Sequence, residues 1–188
     1  MEEFEIKFLE VNVPELEKKL VSIGAEKVGE YDYSRMLLDY PDARLNRAHS
    51  WLRLRTDGSH TTLAYKNSQK LDKDNVEVGM QEIEIVVDDY QKTSEILKNI
   101  GLEVMREEKN RRVRYKKSAV IFDIDFWPGI PAYLEIEAPS FAEAKEAASE
   151  LGFESSKGLI CTPAKVYASY GYNVHDYSSI TFDGFVKK

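Results

Sequence analysis

The chain has 188 residues, with 33 acidic against 26 basic side chains, a formal charge of −7 at pH 7 and one cysteine. This length buries a core without staples, so a single domain over 1–188 is expected, and the lone Cys161 excludes an internal disulfide framework and CxxC metal or redox pairs. The acidic balance argues against broad nucleic-acid or anionic-membrane binding. No apolar run reaches membrane-span length and the N-terminus opens on a charged strand, so a soluble cytoplasmic protein is expected.

In chain order, "EFEIKF" alternates strictly, which is the period of a β-strand over 3–10 and puts Glu3, Glu5 and Lys7 on one face and Phe4, Ile6 and Phe8 on the other. A helix follows over 14–23, with Leu16, Leu20 and Ile23 in phase behind Pro14. Short segments rich in aromatic and β-branched residues predict strands at 33–39, 51–57, 61–66 and 81–87, with the polar run 67–79 read as a loop. A second helix is expected over 90–100 behind Asp88 and Asp89, then strands at 103–107, 110–116, 119–125 and 133–138. Ser140 and Glu143 have capping-box spacing before a helix carrying Phe141, Ala144, Ala148 and Leu151 on one face, and "TPAKVY" predicts a last helix with Thr162 as N-cap, Pro163 at its first position and Gly171 as its stop. The segment 172–188 carries no assignment.

A faint repeat runs through these elements. A strand with Glu-x-Glu leads three times into a helix ending in a similar tail: "EFEIK" to "VSIGAE", "EIEIV" to "KNIGLE" and "LEIEA" to "SELGFE". Gly24, Gly101 and Gly152 fit helix C′ positions, where positive φ favours glycine. Glu82 with Glu84 and Glu135 with Glu137 each share a strand face; so do Arg53 with Arg55, Lys109 with Arg111 and Asp123 with Asp125, while Lys66 ends a strand. An open sheet would turn such faces to water, where each ion pair contributes tenths of a kcal/mol, up to about 1. A closed barrel would line a polar channel with them, and the number of strands favours that closure.

"EFEIK", "LRLR", "AYK", "EIEI", "EKNRR" and "IDFWPGIPAYLEIE" occur in the order found in the CYTH superfamily, the triphosphate tunnel metalloenzymes, which this chain resembles from residue 3 to about 137. The resemblance implies an α+β fold: a closed eight-stranded antiparallel β-barrel with helices packed outside. It further implies that Lys7, Arg53, Arg55, Lys66, Lys109 and Arg111 contact phosphate oxygens, and that Glu3, Glu5, Asp125, Glu135 and Glu137 bind or position Mg²⁺ or Mn²⁺, which suit hard oxygen donors. Glu3, Glu5, Glu135 and Glu137 are then the catalytic set, and Glu82 and Glu84 serve either a metal or the arginines; Asp123 either supports Asp125 from the same face or sits near the strand end with no role. Arg35, Arg112 and Arg114 are expected on the surface or in local ion pairs.

The implied partner is a small molecule carrying a triphosphate, and the implied chemistry is metal-dependent hydrolysis. The rivals are a class IV adenylyl cyclase and a non-catalytic polyphosphate- or nucleotide-binding module. A homodimer is suggested by family analogy alone. The chain departs from the family at Ile130-Pro131, where members often carry Leu-Gly; this bears on the strand entry and so on substrate identity. The glycines at 24 and 29 have P-loop spacing, but Glu30 stands where lysine is needed. His49, His60 and His175 lack ligand spacing, and Trp51 and Trp127 are assigned to packing.

Overall fold

The computed structural model describes residues 2–67 and 80–188, so all but the first residue of the loop expected over 67–79 lies outside the described residues. The fold is α+β, and among the described residues ten strands, largely antiparallel, form one sheet. In chain order the strands are β1 (Glu2–Phe8), β2 (Glu26–Asp39), β3 (Ser50–Thr56), β4 (Thr61–Asn67), β5 (Met80–Val87), β6 (Glu103–Lys117), β7 (Val120–Phe126), β8 (Tyr133–Ala138), β9 (Tyr177–Thr181) and β10 (Gly184–Lys187). The helices are α1 (Val13–Ser22), α2 (Arg44–Arg47), α3 (Tyr90–Asn99), α4 (Phe141–Glu150) and α5 (Pro163–Ser169). No helix among the described residues is long and apolar enough to cross a membrane.

The local signals act as expected at the helix ends. The side chains of Asn12, Asp89 and Ser140 accept from the backbone N–H groups of Glu15, Lys92 and Glu143, and the Ser140 hydroxyl also donates to the Glu143 carboxylate. Gly24, Gly101 and Gly152, which follow α1, α3 and α4, all have φ between +81° and +98°, the conformation their C′ positions demand. Thr162 precedes α5 without a side-chain cap bond.

The sheet departs from expectation in two ways, so the closed eight-stranded barrel does not stand as stated. The strands expected at 103–107 and 110–116 are one strand, β6, because no breaker separates them and the alternation runs through Glu108 and Asn110. The unassigned C-terminal segment supplies β9 and β10, and β9 pairs in parallel with β6 through Glu107–Ser179 and Glu108–Ile180. These additions bring the sheet to ten strands.

The chain divides into two compact units: Met1–Glu2 with Asp32–Asn110 and His175–Lys188, and Glu3–Tyr31 with Arg111–Val174. In the first unit β2, β3, β4 and β5 pair in sequence as antiparallel neighbours. Leu38, Leu54, Leu97 and Leu102 form its buried cluster, joined by Met36, Leu52, Leu63 and Val87. In the second, β1 pairs with β8, β8 with β7 and β7 with β6. Its core gathers Ile6 and Phe8, Val113 and Tyr115, Phe122 and Ile124, and Leu134 and Ile136 with Leu16 and Leu20 of α1 and Phe141, Ala144 and Ala148 of α4. In each unit the apolar face of the strands thus meets a helix, and strand alternation puts the charged residues on the opposite face.

Candidate active site

Whether that opposite face is solvated decides what it can do. In the second unit it is not: Lys7, Asp123 and Asp125 are at most 1% exposed, and Glu135 is 7% exposed. Register explains their assembly. Lys7 lies directly across from Glu135, Glu135 across from Asp123 and Asp123 across from Arg114, while Glu5 faces Glu137 and Asp125 faces Arg112 on the neighbouring rows. Directly opposed residues share a face, so the side chains meet across four strands.

Buried charges need partners, and these have them. Lys7 Nζ lies 2.6 Å from Glu5 Oε1 and 2.9 Å from Glu135 Oε2. Burial pulls the Lys7 ammonium down, but Glu135 and Glu5 outweigh it and hold it above the ordinary lysine range. Arg112 forks onto Asp125 through Nε at 2.7 Å and Nη2 at 2.5 Å, reaches Asp123 through Nη1 at 2.5 Å, and touches Glu135 Oε1 through Nη2 at 3.1 Å. Arg114 forks onto the Asp123 carboxylate at 2.8 and 2.7 Å. Burial first, then nearby Glu135, push the Glu137 carboxyl up.

The charged face of the first unit is cationic. Arg53 Nη2 lies 3.0 Å from both Glu82 and Glu84, Lys66 Nζ lies 2.7 Å from Glu82 Oε2, and Arg55 Nη2 lies 3.5 Å from Glu84. Glu82 and Glu84 therefore hold the cations, which favours the ion-pair role of the two left open by the sequence. Arg55 sits over the Tyr33 ring at 4.6 Å, and burial followed by the closeness of Arg53 presses its guanidinium down to about 10. Arg35 is directly across from Arg55 and donates to the Asn110 amide oxygen. Arg53 Nε and Thr62 Oγ1 are buried without a hydrogen-bond partner among the described residues, which leaves donor capacity unused on this face.

The structure thus brings together Lys7, Glu5, Asp123, Asp125, Glu135 and Glu137 in one unit, and Arg53, Arg55, Lys66, Glu82 and Glu84 in the other. Glu3 lies on β1 with its side chain outside the described set. Lys109 and Arg111 are not brought to either group. Lys109 is half-exposed, 3.8 Å from the exposed Asp183, and Arg111 pairs with Glu30 at 2.9 Å over the Phe126 ring. Arg112 and Arg114 take the charged face of β6 instead. Their ion pairs match one part of the expectation for them, but the surface position does not hold for Arg112. "KNRRVRY" carries cations in both phases of its alternation, and only the burial of Val113 and Tyr115 in the core tells which phase faces the carboxylates.

The 1–170 stretch matches the family model of the CYTH domain. The chain belongs to the CYTH family. CYTH domains generally depend on a metal and include triphosphatases and adenylyl cyclase-like proteins, whereas no curated protein sequence matches the chain. Among solved structures it is similar to a proposed adenylate cyclase from Vibrio parahaemolyticus (15% identity, 89% of this chain and 98% of that one, TM-score 0.76). It is also similar to a Pyrococcus horikoshii protein (24% identity, 84% and 94% covered, TM-score 0.69). A third relative is a proposed adenylyl cyclase from Hippeastrum described as having a dominant triphosphatase activity (16% identity, 90% and 96% covered, TM-score 0.65). At these identities the likeness is one of fold.

The donor set fits the metal that the family implies: Glu5, Asp123, Asp125, Glu135 and Glu137 are hard oxygen donors on one face, without imidazole or thiolate. Their side chains are at present arranged around Lys7 and Arg112, so no group of three acidic, histidine or cysteine side chains among the described residues is gathered as a metal centre.

Proposed function

We propose that this CYTH protein is a metal-dependent triphosphatase that removes the terminal phosphate from an inorganic, thiamine or nucleoside triphosphate. The observation that carries the reading is the burial of dense, mutually paired charge: a solvated face would gain little from such pairs, whereas a site for a polyanion and its counter-ion requires them. Lys7, Arg53, Arg55 and Lys66 would bind phosphate oxygens, the arginines as forks and the lysines as point charges. Arg112 takes that role in place of Lys109 and Arg111, because it lies on the charged face, whereas Arg114 is forked onto Asp123.

Glu5, Asp125, Glu135 and Glu137, with Glu3, would hold Mg²⁺ or Mn²⁺. When bound, that ion supplies Lewis-acid polarisation of phosphate oxygens and a more acidic water. Glu82 and Glu84 keep Arg53, Arg55 and Lys66 in place for the charge that develops on the leaving phosphate.

The test is incubation with ATP, thiamine triphosphate or inorganic triphosphate, each with Mg²⁺ or Mn²⁺, and chromatographic resolution of the products. Orthophosphate, lost in Glu135→Ala, is expected. Cyclic AMP with pyrophosphate would make the protein a class IV adenylyl cyclase, and metal-dependent binding without turnover would make it a binding module.

A further inference from the structure

We propose that Arg112 is an internal counter-cation that keeps the acidic face closed to divalent metal until a triphosphate draws its guanidinium away, so that metal and triphosphate bind cooperatively. The inference rests on the triphosphate reading above and concerns the order in which that site fills.

Three observations carry it. First, one guanidinium serves three carboxylates at once: Asp125 at 2.5 Å, Asp123 at 2.5 Å and Glu135 at 3.1 Å. Second, Glu135 is divided between two internal cations, with Oε1 on Arg112 and Oε2 at 2.9 Å from Lys7 Nζ, so neither of its oxygens is unengaged. Third, the donors share a face by register, yet no three of them converge as a metal centre among the described residues. The guanidinium and the ammonium occupy oxygens of Asp125, Glu135 and Glu5 that a divalent ion would need, and their charge opposes its entry.

A triphosphate changes that balance. Its oxygens present the same forked geometry to a guanidinium as a carboxylate does, with more negative charge. As Arg112 moves from carboxylate to phosphate, Asp125 and Glu135 each give up its guanidinium, with Lys7 still on Glu135, and gain room to act as ligands. Arg114 still holds Asp123 by its own fork, so the exchange falls on Asp125 and Glu135. By linkage the effect is reciprocal: whatever factor the triphosphate adds to metal affinity, the metal adds to triphosphate affinity. Arg112 on this account contacts the phosphate and by the same movement frees the carboxylates, and Lys7 is the second cation that must yield.

The experiment is a titration of the full chain with Mn²⁺, followed by the electron paramagnetic resonance of free Mn²⁺ and by calorimetry, with and without an imido-bridged triphosphate analogue. A protein-free titration corrects for Mn²⁺ held by the analogue itself. The expected result for the unaltered chain is an Mn²⁺ affinity that rises by roughly 5- to 150-fold with the analogue, the usual span of coupling between sites. Arg112→Gln is expected to bind Mn²⁺ more tightly without the analogue and to lose most of that factor, while Arg112→Lys retains part of it. Equal Mn²⁺ affinity with and without the analogue in the unaltered chain would overturn the inference, and that arm needs no variant to fold. An unchanged factor in a folded Arg112→Gln would overturn it too. If the unaltered chain binds neither Mn²⁺ nor the analogue, the triphosphate reading itself falls; if it binds both independently, that reading survives and only the role of Arg112 is lost.

Discussion

Replacing Lys7 by methionine tests whether the charged face is interior. Lys7 has no exposed side-chain surface, and its ammonium is held at 2.6 Å by Glu5 and 2.9 Å by Glu135. Methionine keeps the length and apolar stem but strands two carboxylates. Removing one partner of a buried pair costs about 3–5 kcal/mol. Two features place Lys7→Met at the lower end: Glu135 keeps Arg112 at 3.1 Å, and the Glu5 side chain is 15% exposed and can reach water. A loss of about 3 kcal/mol lowers Tm by roughly 6–12 °C in a chain of this size.

The assay is urea denaturation followed by circular dichroism at pH 7, with Lys27→Met as the control. Lys27 makes a pair of the same 2.6 Å length with Glu30, but on the surface, and its removal is expected to change little. The sign of the pH dependence follows from Lys7 itself. Its folded pKa lies above its unfolded value, so its contribution is fully present below about 10.4 and is lost only as pH rises through the folded value. The deficit of Lys7→Met should therefore be constant from about pH 6 to 9. A loss below about 1 kcal/mol, the level of exposed pairs, would refute the reasoning and return the face to solvent.

Glu137→Gln removes a carboxyl whose folded pKa is raised, and such a group costs stability above that pKa and ceases to as pH falls. The variant should be more stable at pH 7, a gain that shrinks in denaturation curves taken at lower pH, while turnover is lost. Arg111→Ala should keep orthophosphate release within about twofold, whereas Arg53→Ala, which removes a guanidinium from the cationic face, should lower kcat by about 10² to 10³. Chelation should abolish orthophosphate release, and Mg²⁺ or Mn²⁺ should restore it; full activity in excess chelator would exclude the metal-dependent reading.

Most strands and helices were legible because their signals are local. Strict alternation in "EFEIKF" and "LEIE" needs no tertiary context, nor does the Ser140 and Glu143 cap. β9 was not legible: "YSSIT" alternates weakly, and although it pairs with the nearby β10, the residues that join it to the rest of the sheet, Glu107 and Glu108 of β6, lie far away in sequence. The strand face of Lys7, Arg53 and Arg55 could be read from the sequence because Ile6 and Phe8, and Leu52 and Leu54, alternate with them. "KNRRVRY" could not, since Lys109 and Arg111 in one phase look as suitable as Arg112 and Arg114 in the other. The apolar pair that sets the phase, Val113 and Tyr115, is preceded by residues that are polar in both phases.

Under the proposed function, Arg112 also bears on how the charged face comes to be built. Burying Asp123, Asp125 and Glu135 without compensation would be prohibitive before any ligand arrives. A chain that relied on the metal alone for compensation would fold only when loaded. Lys7, Arg112 and Arg114 supply that charge from within, so the face can be built in the absence of its ligand. The compensation then sets its own condition on function: a cation that stabilises the carboxylates also competes with the ion they are meant to hold. Only a ligand that attracts the internal cations as strongly as the carboxylates do can release both, and an oligoanion such as triphosphate has that property.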